Sequence, residues 1–265
     1  MKNVNFLLFL FAFFFLNSCS SLMKGMLQND PDFKKNADKY LISHPVGIHP
    51  SSKALIKIPS KPPIFIIEDG RTNDIYEMKV KWLKDTKKDG YIDKLNMKKG
   101  DVARERDFNA HKIFISNPID DKNYEIIGTT TTFRSLKKLS GKSTVGTSTM
   151  SYPIKFSIFE QGKDVGKIIV YGPSFPPQPQ KIDVSIHDRL VSIKYQVIFS
   201  KSKFAFEFEN ELIAFFDIKP AKFITTKMKV NAYIKSGLTK DFIADIFTLY
   251  IIADIMIGVQ KIPHI

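Results

Sequence analysis

The chain reads as a mainly β protein, an antiparallel barrel or sandwich ending in a hydrophobic C-terminal helix that the strands can enclose. Three observations predict this. From Ile64 onward, apolar and polar residues mostly alternate with a period of two, the mark of strands that bury one face. Short clusters containing Gly, Asn or Asp cut that alternation into hairpin-sized pieces. The last apolar stretch, Leu238–Val259, drops the alternation and is hydrophobic in nearly every direction around a helical wheel.

The elements follow in order. Pro63–Ile67, Tyr76–Trp82, Lys112–Ser116 and Tyr124–Phe133 fit short strands. Ile154, Phe156 and Ile158 alternate, and Gln161-Gly162-Lys163 turns the chain into Val165–Tyr171. Ile182, Val184 and Ile186 precede His187-Asp188-Arg189, after which Val191, Ile193, Tyr195 and Val197 alternate again. Phe204, Phe206 and Phe208 lead through Glu209-Asn210 into Leu212–Ile218, and Met228, Val230, Ala232 and Ile234 form the last alternating set. The proline-rich break Pro173–Pro179 separates two strands, not two domains. Many short strands with local turns favour a sandwich or a closed barrel, and closure removes exposed sheet edges. For the helix, Thr239 is a capping residue and Asp241 suits the positive N-terminal end. Asp245 and Asp254 interrupt its apolar run and disfavour a position within lipid. Burial inside a β shell is the better expectation.

Before these strands the chain changes character. Lys2 is followed by an 11-residue apolar run, Phe6–Leu16, too short to span a bilayer as a helix but suited to the core of a signal peptide. The next residues, Leu16-Asn17-Ser18-Cys19, resemble a lipobox, the processing signal of bacterial lipoproteins; Leu16, Ser18 and Cys19 match and Asn17 departs from the usual pattern. The resemblance implies cleavage between Ser18 and Cys19, a diacylglyceryl group on the Cys19 sulfur and a further acyl chain, such as palmitate, on its freed amine. Two or three chains together anchor stably, at about 0.8 kcal/mol per buried CH₂. An ordinary cleaved leader and an uncleaved anchor are the alternatives. Cys19 is the single cysteine, so the chain has no internal disulfide and no cysteine zinc site. Ser20 lacks the acidic character that retains lipoproteins in the inner membrane, which favours the outer membrane. The expected organisation is a signal peptide over residues 1–18, a lipidated N-terminus and Pro-rich tether over 19–63, and a single β-rich domain over 64–265 ending in a helix at 239–259. Within the tether, a short helix fits around Pro31–Tyr40.

The β body is similar to the tubby-like fold, shared by tubby proteins, phospholipid scramblases and the plant LURP-one family. The likeness is carried by Tyr124–Gly128, by Phe156–Gly162 with Val165–Ile168, by Glu211–Ala214, and above all by Lys240–Met256, a hydrophobic C-terminal helix with Asp near both ends. It covers about residues 112–260 and leaves 64–111 unaccounted for. It implies a barrel of roughly a dozen strands around that helix, and an association with phosphoinositides, lipid movement or signalling. No lipid-binding motif of the family can be placed residue by residue, and fold does not imply function.

Several motif fragments dissolve on inspection. Ser140-Gly-Lys-Ser143 lacks the upstream Gly of a phosphate-binding loop, since Leu136 stands there, and it reads as a flexible loop. Asp85…Asp89-Gly90…Asp93 places Lys87 at a calcium-ligand position and Asn96 where a bidentate Glu belongs, so it reads as a charged turn. His44 and His49 lack a third metal ligand nearby. Gly146-Thr-Ser-Thr-Met150 lacks the closing Gly of a nucleophile elbow. Asp245 and Asp254 read as helix-end or barrel-mouth residues.

The expectation is therefore a non-enzymatic lipoprotein of the bacterial envelope, without cofactor or metal. Lys+Arg exceed Asp+Glu by 13, and the leader holds only Lys2 of that excess. A basic domain suits anionic lipid headgroups or envelope proteins. Nucleic acid is discounted as a partner, because an exported, anchored protein seldom meets it. A structural, assembly or adhesin-like role through protein contacts is the alternative.

Overall fold

The computed structural model of the chain describes residues 30–45, 64–89, 97–140, 143–172, 180–198, 201–219 and 227–260. A short helix, α1 (Pro31–Asn36), leads into β1 (Ala37–Pro45). There follow β2 (Ile64–Asp69), β3 (Ile75–Asp89), β4 (Val102–Asn117), β5 (Lys122–Ser140), β6 (Ser143–Met150), β7 (Ile154–Glu160), β8 (Lys163–Val170) and β9 (Gln180–Ile186). The order closes with β10 (Arg189–Ile198), β11 (Lys201–Phe208), β12 (Glu211–Lys219), β13 (Lys227–Lys235) and α2 (Lys240–Gln260).

Successive strands pair antiparallel around a ring, and β1 pairing with β13 seals it. Twelve strands form this closed barrel, and β6 stands outside it, hydrogen-bonded to the far half of β5. Two-residue hairpins fix the register of three strand pairs. Gln161-Gly162, His187-Asp188 and Glu209-Asn210 all have positive φ at both residues, the geometry whose twist matches that of the flanking strands. All three lie at one end of the barrel, together with the β2–β3 and β4–β5 turns. At the same end β13 passes through Ser236 and Gly237 into α2.

Inward side chains are apolar because strands alternate their faces and the interior is filled by α2. Phe242–Ala253 and Ile255–Ile257 of the helix are all buried. The helix touches walls on several sides. The Phe247 ring meets Tyr40 of β1 edge-on at 5.1 Å, and Tyr250 stacks on Phe216 of β12 at 4.5 Å. Tyr250 also meets Phe204 of β11 at 5.6 Å, and Asn117 of β4 bonds to the helix backbone. A helix apolar on every side is thus matched by a wall on every side.

Three strands, β3, β4 and β5, run past the ring, and β6 joins them there. Among the described residues, 80–89 of β3 pair only with β4, and the outer halves of β4 and β5 pair with each other and with β3 and β6. The result is a four-stranded arm, in the order β3-β4-β5-β6, projecting from the end opposite the tight turns.

The structure corrects several expectations. Of the two β architectures, it is the barrel. The domain begins well before residue 64: Ala37–Pro45, expected within the tether, is the strand that closes the barrel between β13 and β2. Its inward Tyr40, Ile42 and His44 alternate, but prolines on either side obscure the pattern. The helix expected around Pro31–Tyr40 stops at Asn36, where Ala37 is already extended. Asp85–Asp89 belongs to β3 and is not a turn, and Ser143, expected in a loop, opens β6. The strands expected at Lys112–Ser116 and Tyr124–Phe133 are 16 and 19 residues long, because the arm extends both. Residues 64–111, which the family likeness left aside, supply β2, β3 and most of β4. No helix among the described residues is long and apolar enough to cross a membrane. The signal peptide, Ser18, Cys19 and His49 lie outside the described residues.

Gly166 on β8 permits a close crossing. A Cβ there would lie 1.9 Å from the Ser185 carbonyl oxygen of β9, a backbone atom that no rotamer change can move. Gly166→Ala is expected to destabilise by about 3 kcal/mol, the upper range of overpacking. Gly162→Ala, at a turn where nothing stands within 4 Å, is expected to cost about 1 kcal/mol for its positive φ. Urea unfolding midpoints of the two variants check the difference.

Candidate functional site: a charged clamp at the barrel mouth

Where α2 enters the barrel, strand ends bring a set of charged side chains onto it. Asp245, in the second turn of the helix, is fully buried. Its carboxylate accepts from Arg189 Nη1 at 2.6 Å, faces His187 Nδ1 at 3.2 Å and accepts from the Tyr124 hydroxyl at 3.3 Å. His187 Nε2 lies 2.6 Å from Glu160 Oε2, so the imidazole bridges two carboxylates. Both contacts are hydrogen bonds only when both ring nitrogens carry a proton. The single Tyr124 hydroxyl proton is shared with Asp120, also at 3.3 Å, and Lys122 lies 3.6 Å from Asp120 and 4.0 Å from Glu160. Burial and the surrounding carboxylates, Asp245 first among them, hold the Tyr124 hydroxyl protonated far above its usual range, and burial raises Asp120. A buried carboxylate must be paired; Arg189 and Tyr124 donate to Asp245, and His187 Nδ1 faces it.

Local structure explains the convergence. Glu160 ends β7, His187 sits in the turn after β9, and Arg189 opens β10, so tight hairpins aim them at one point. Asn117, at the end of β4, adds a neutral pin. Its amide donates to the Ala244 carbonyl at 2.9 Å and to the Thr248 hydroxyl at 3.0 Å, while its oxygen accepts from Ile119 N. Thr239 caps the helix through Phe242 N at 3.3 Å, as expected. A second cluster stands at the same end. Arg71 grips Asp69 through two nitrogens, at 3.1 and 2.8 Å, and reaches Asp38 and Tyr40, tying the β2–β3 turn to β1.

Asp245 and Asp254 are thus separated by the structure. Asp245 lies inside the mouth network, while Asp254 is half-buried near the other end, beside the buried Tyr250. None of the residues around Asp245 stands out as a site residue in the sequence: His187 and Arg189 read only as turn residues, Tyr124 and Glu160 only as parts of strand and hairpin patterns, and Asn117 carries no signal. Each is an ordinary polar residue beside a turn, and only barrel closure makes them neighbours. Among the described residues no group of three or more His, Cys, Asp and Glu could hold a metal ion. His44, weighed as a ligand with His49, is buried and stacked on Phe65 at 4.7 Å.

A further polar network lines the inner face of the arm. The Trp82 indole donates to His111 Nδ1 at 3.3 Å, which leaves His111 Nε2 to donate to Thr130 at 2.9 Å. Thr86 donates to Asn109 at 2.8 Å, and Arg134 pairs with Asp107 and with Glu105. On the outer wall, a shallow cleft of about 460 Å³ runs beside β13, β1 and the β2–β3 turn, where Lys39, Glu68, Asn231 and Tyr233 face it. Compared with protein-family models, curated proteins and solved structures, the chain matches none.

Asp245→Asn removes the charge that Arg189 and His187 face inside the mouth. It is expected to cost about 3 kcal/mol, the lower end for breaking a buried pair, since the Arg189 side chain is 31% exposed. Asp254→Asn is expected to cost below about 1 kcal/mol. Chemical denaturation of both variants distinguishes the clamp from a generic helix charge.

His111 generates a pH dependence. Burial, and then the charge of Lys84, push its pKa down to about 4, against an ordinary value of 6.5. Between those values the unfolded chain binds the additional proton. The stability that this neutral ring contributes is therefore complete above about pH 6.5 and lost as pH falls toward 4. His111→Gln keeps an acceptor and a donor but does not titrate. Its stability is expected to fall less than that of the unmodified protein between pH 7 and 5, by about 2 kcal/mol. Urea unfolding at the two pH values measures the difference.

Proposed function

We propose that the protein is a membrane-anchored envelope lipoprotein, held by acyl chains on Cys19, whose basic β domain associates with anionic lipid headgroups or envelope partners. The observation that carries this reading is the filled barrel. The interior is occupied by the protein's own helix, so recognition falls to the outer surface, and the chain's basic excess of 13 gives that surface a preference for anions. The leader and Leu16–Cys19 support the anchor. Ser20 supports the outer membrane over the inner one. A twelve-stranded barrel around a C-terminal helix is also the architecture that a tubby-like fold implies, which supports that kinship.

The second reading, a structural or adhesin-like role through protein contacts, is favoured by β6. Among the described residues this strand pairs only with β5, and its sequence, STVGTSTM, carries no charge to deter pairing along the other edge.

The mass of the mature N-terminal peptide from membrane fractions tests the anchor. Diacylglyceryl and acyl additions at Cys19, lost in Cys19→Ala together with membrane attachment, are expected. An unmodified N-terminus in the membrane fraction would sink the lipoprotein reading.

A further inference from the structure

We infer that the outer face of the arm is the surface that meets the bilayer, an interfacial patch of aromatic and aliphatic side chains set among arginines. This deepens the proposed function and rests on its headgroup reading.

The sheet's alternation puts even residues of β4 and odd residues of β5 and β6 on this face. Phe108 is 39% exposed and Phe133 41%, and Val102 and Val145 are 53% and 52% exposed. These are among the most exposed large apolar side chains described, and they share one surface. Cross-strand registry places Phe133 beside Arg106, and Lys137 between Val102 and Val145. The Arg106 guanidinium lies over both rings, 5.6 Å from the Phe108 centroid and 5.0 Å from that of Phe133. Arg104 stands next along the strand. Neither Arg104 nor Arg106 has a carboxylate within ion-pair distance among the described residues, although Asp89 faces Arg106 across the ladder.

Apolar side chains gathered on one exposed surface, rather than scattered singly, point to a covering partner. Here the partner must accept cations and rings together, at one depth. An anionic bilayer surface does both: the rings reach the acyl boundary while the guanidinium groups stay with phosphates. The opposite face of the arm carries a buried polar network instead, Trp82-His111-Thr130 and Arg134-Asp107. The tether allows this orientation. Ala37 lies at the tight-turn end and the arm at the other, but residues 20–30 between Cys19 and α1 can extend to about 40 Å. Phe108 stands nine residues along β4 from Asn117 at the tight-turn end, a rise of about 30 Å.

The test uses the acyl-free mature chain, residues 19–265 with Cys19→Ala, which contains every described residue. Co-sedimentation is measured with phosphatidylcholine vesicles and with the same vesicles carrying one-third phosphatidylglycerol. Phe108→Ala/Phe133→Ala and Arg104→Gln/Arg106→Gln are each expected to weaken partition onto the anionic vesicles at least about tenfold. Near-ultraviolet circular dichroism and cooperative melts report that each variant is folded. In a second measurement, Phe108→Trp is expected to be quenched by brominated acyl chains, while the native Trp82 alone, on the other face, is not. Unchanged binding by both double variants would overturn the arm as the contact surface and leave the headgroup reading standing. Failure of the parent chain to bind anionic vesicles would end both. Concentration-dependent dimers lost in the Phe108→Ala/Phe133→Ala variant, without vesicle binding, would assign the face to a second copy and likewise overturn the inference.

Discussion

The structure depends on enclosing a helix that is apolar on every side. Such a helix has no stable place on a protein surface, and α2 finds its place by being surrounded. Every other feature of the barrel answers that constraint. Inward positions on the strands are Ile, Val, Phe and Tyr because they face helix side chains instead of a lumen. Aromatic side chains on α2, Phe247 and Tyr250, fill the spaces between walls as different as β1, β11 and β12. The single buried carboxylate on the helix, Asp245, then requires polar partners at the barrel mouth, and Arg189 and His187 are positioned by hairpins that leave little freedom of direction.

The two ends of the barrel divide the work. At the tight-turn end, two-residue hairpins and ion pairs fix both register and helix position. The other end gives rise to the arm, where four strands continue beyond the hydrophobic filling. Without a helix to face, the inner surface of the arm turns polar. There His111 bonds to Trp82 and Thr130, Asn109 to Thr86, and Arg134 to Asp107, so hydrogen bonds join the strands of the arm where the barrel uses apolar burial. The outer surface of the arm is free to be amphipathic because neither the register nor the core depends on it.

How much of this was legible in the sequence follows from the same physics. In most strands from β7 to β13, where one face packs inward, the period of two is clean and the tight turns are legible; β12 is the exception, burying Ile213–Phe216 in an unbroken run. Leu238–Val259 announced an enclosed helix within two residues at its start and one at its end. Legibility failed where burial stops being one-sided. In the arm, β6 carries Ser and Thr on both faces, so nothing periodic marks it. In β4 the inward face passes from Ile113 to His111, Asn109 and Asp107, and the alternation of hydrophobicity disappears although the strand does not. The β1 strand was lost to its proline surroundings. The clamp was illegible for another reason: Asn117, Tyr124, Glu160, His187, Arg189 and Asp245 are neighbours only through closure, and spacing along the chain carries no trace of it.

Closure also has a consequence in time. The ring is sealed by β1 against β13, a pairing of residues near 40 with residues near 230, and the filling follows last, as α2. A chain emerging from its N-terminus therefore displays a large set of inward Ile, Val and Phe side chains before the segment that covers them exists. Contacts so distant in sequence are slow to form. Until then the nascent strands present both apolar faces and unpaired edges, the surfaces that chaperones bind and that aggregation exploits. Completion of the C-terminal helix is thus the event that turns a sticky sheet into a finished molecule, and a chain halted before Lys240 would remain an open shell.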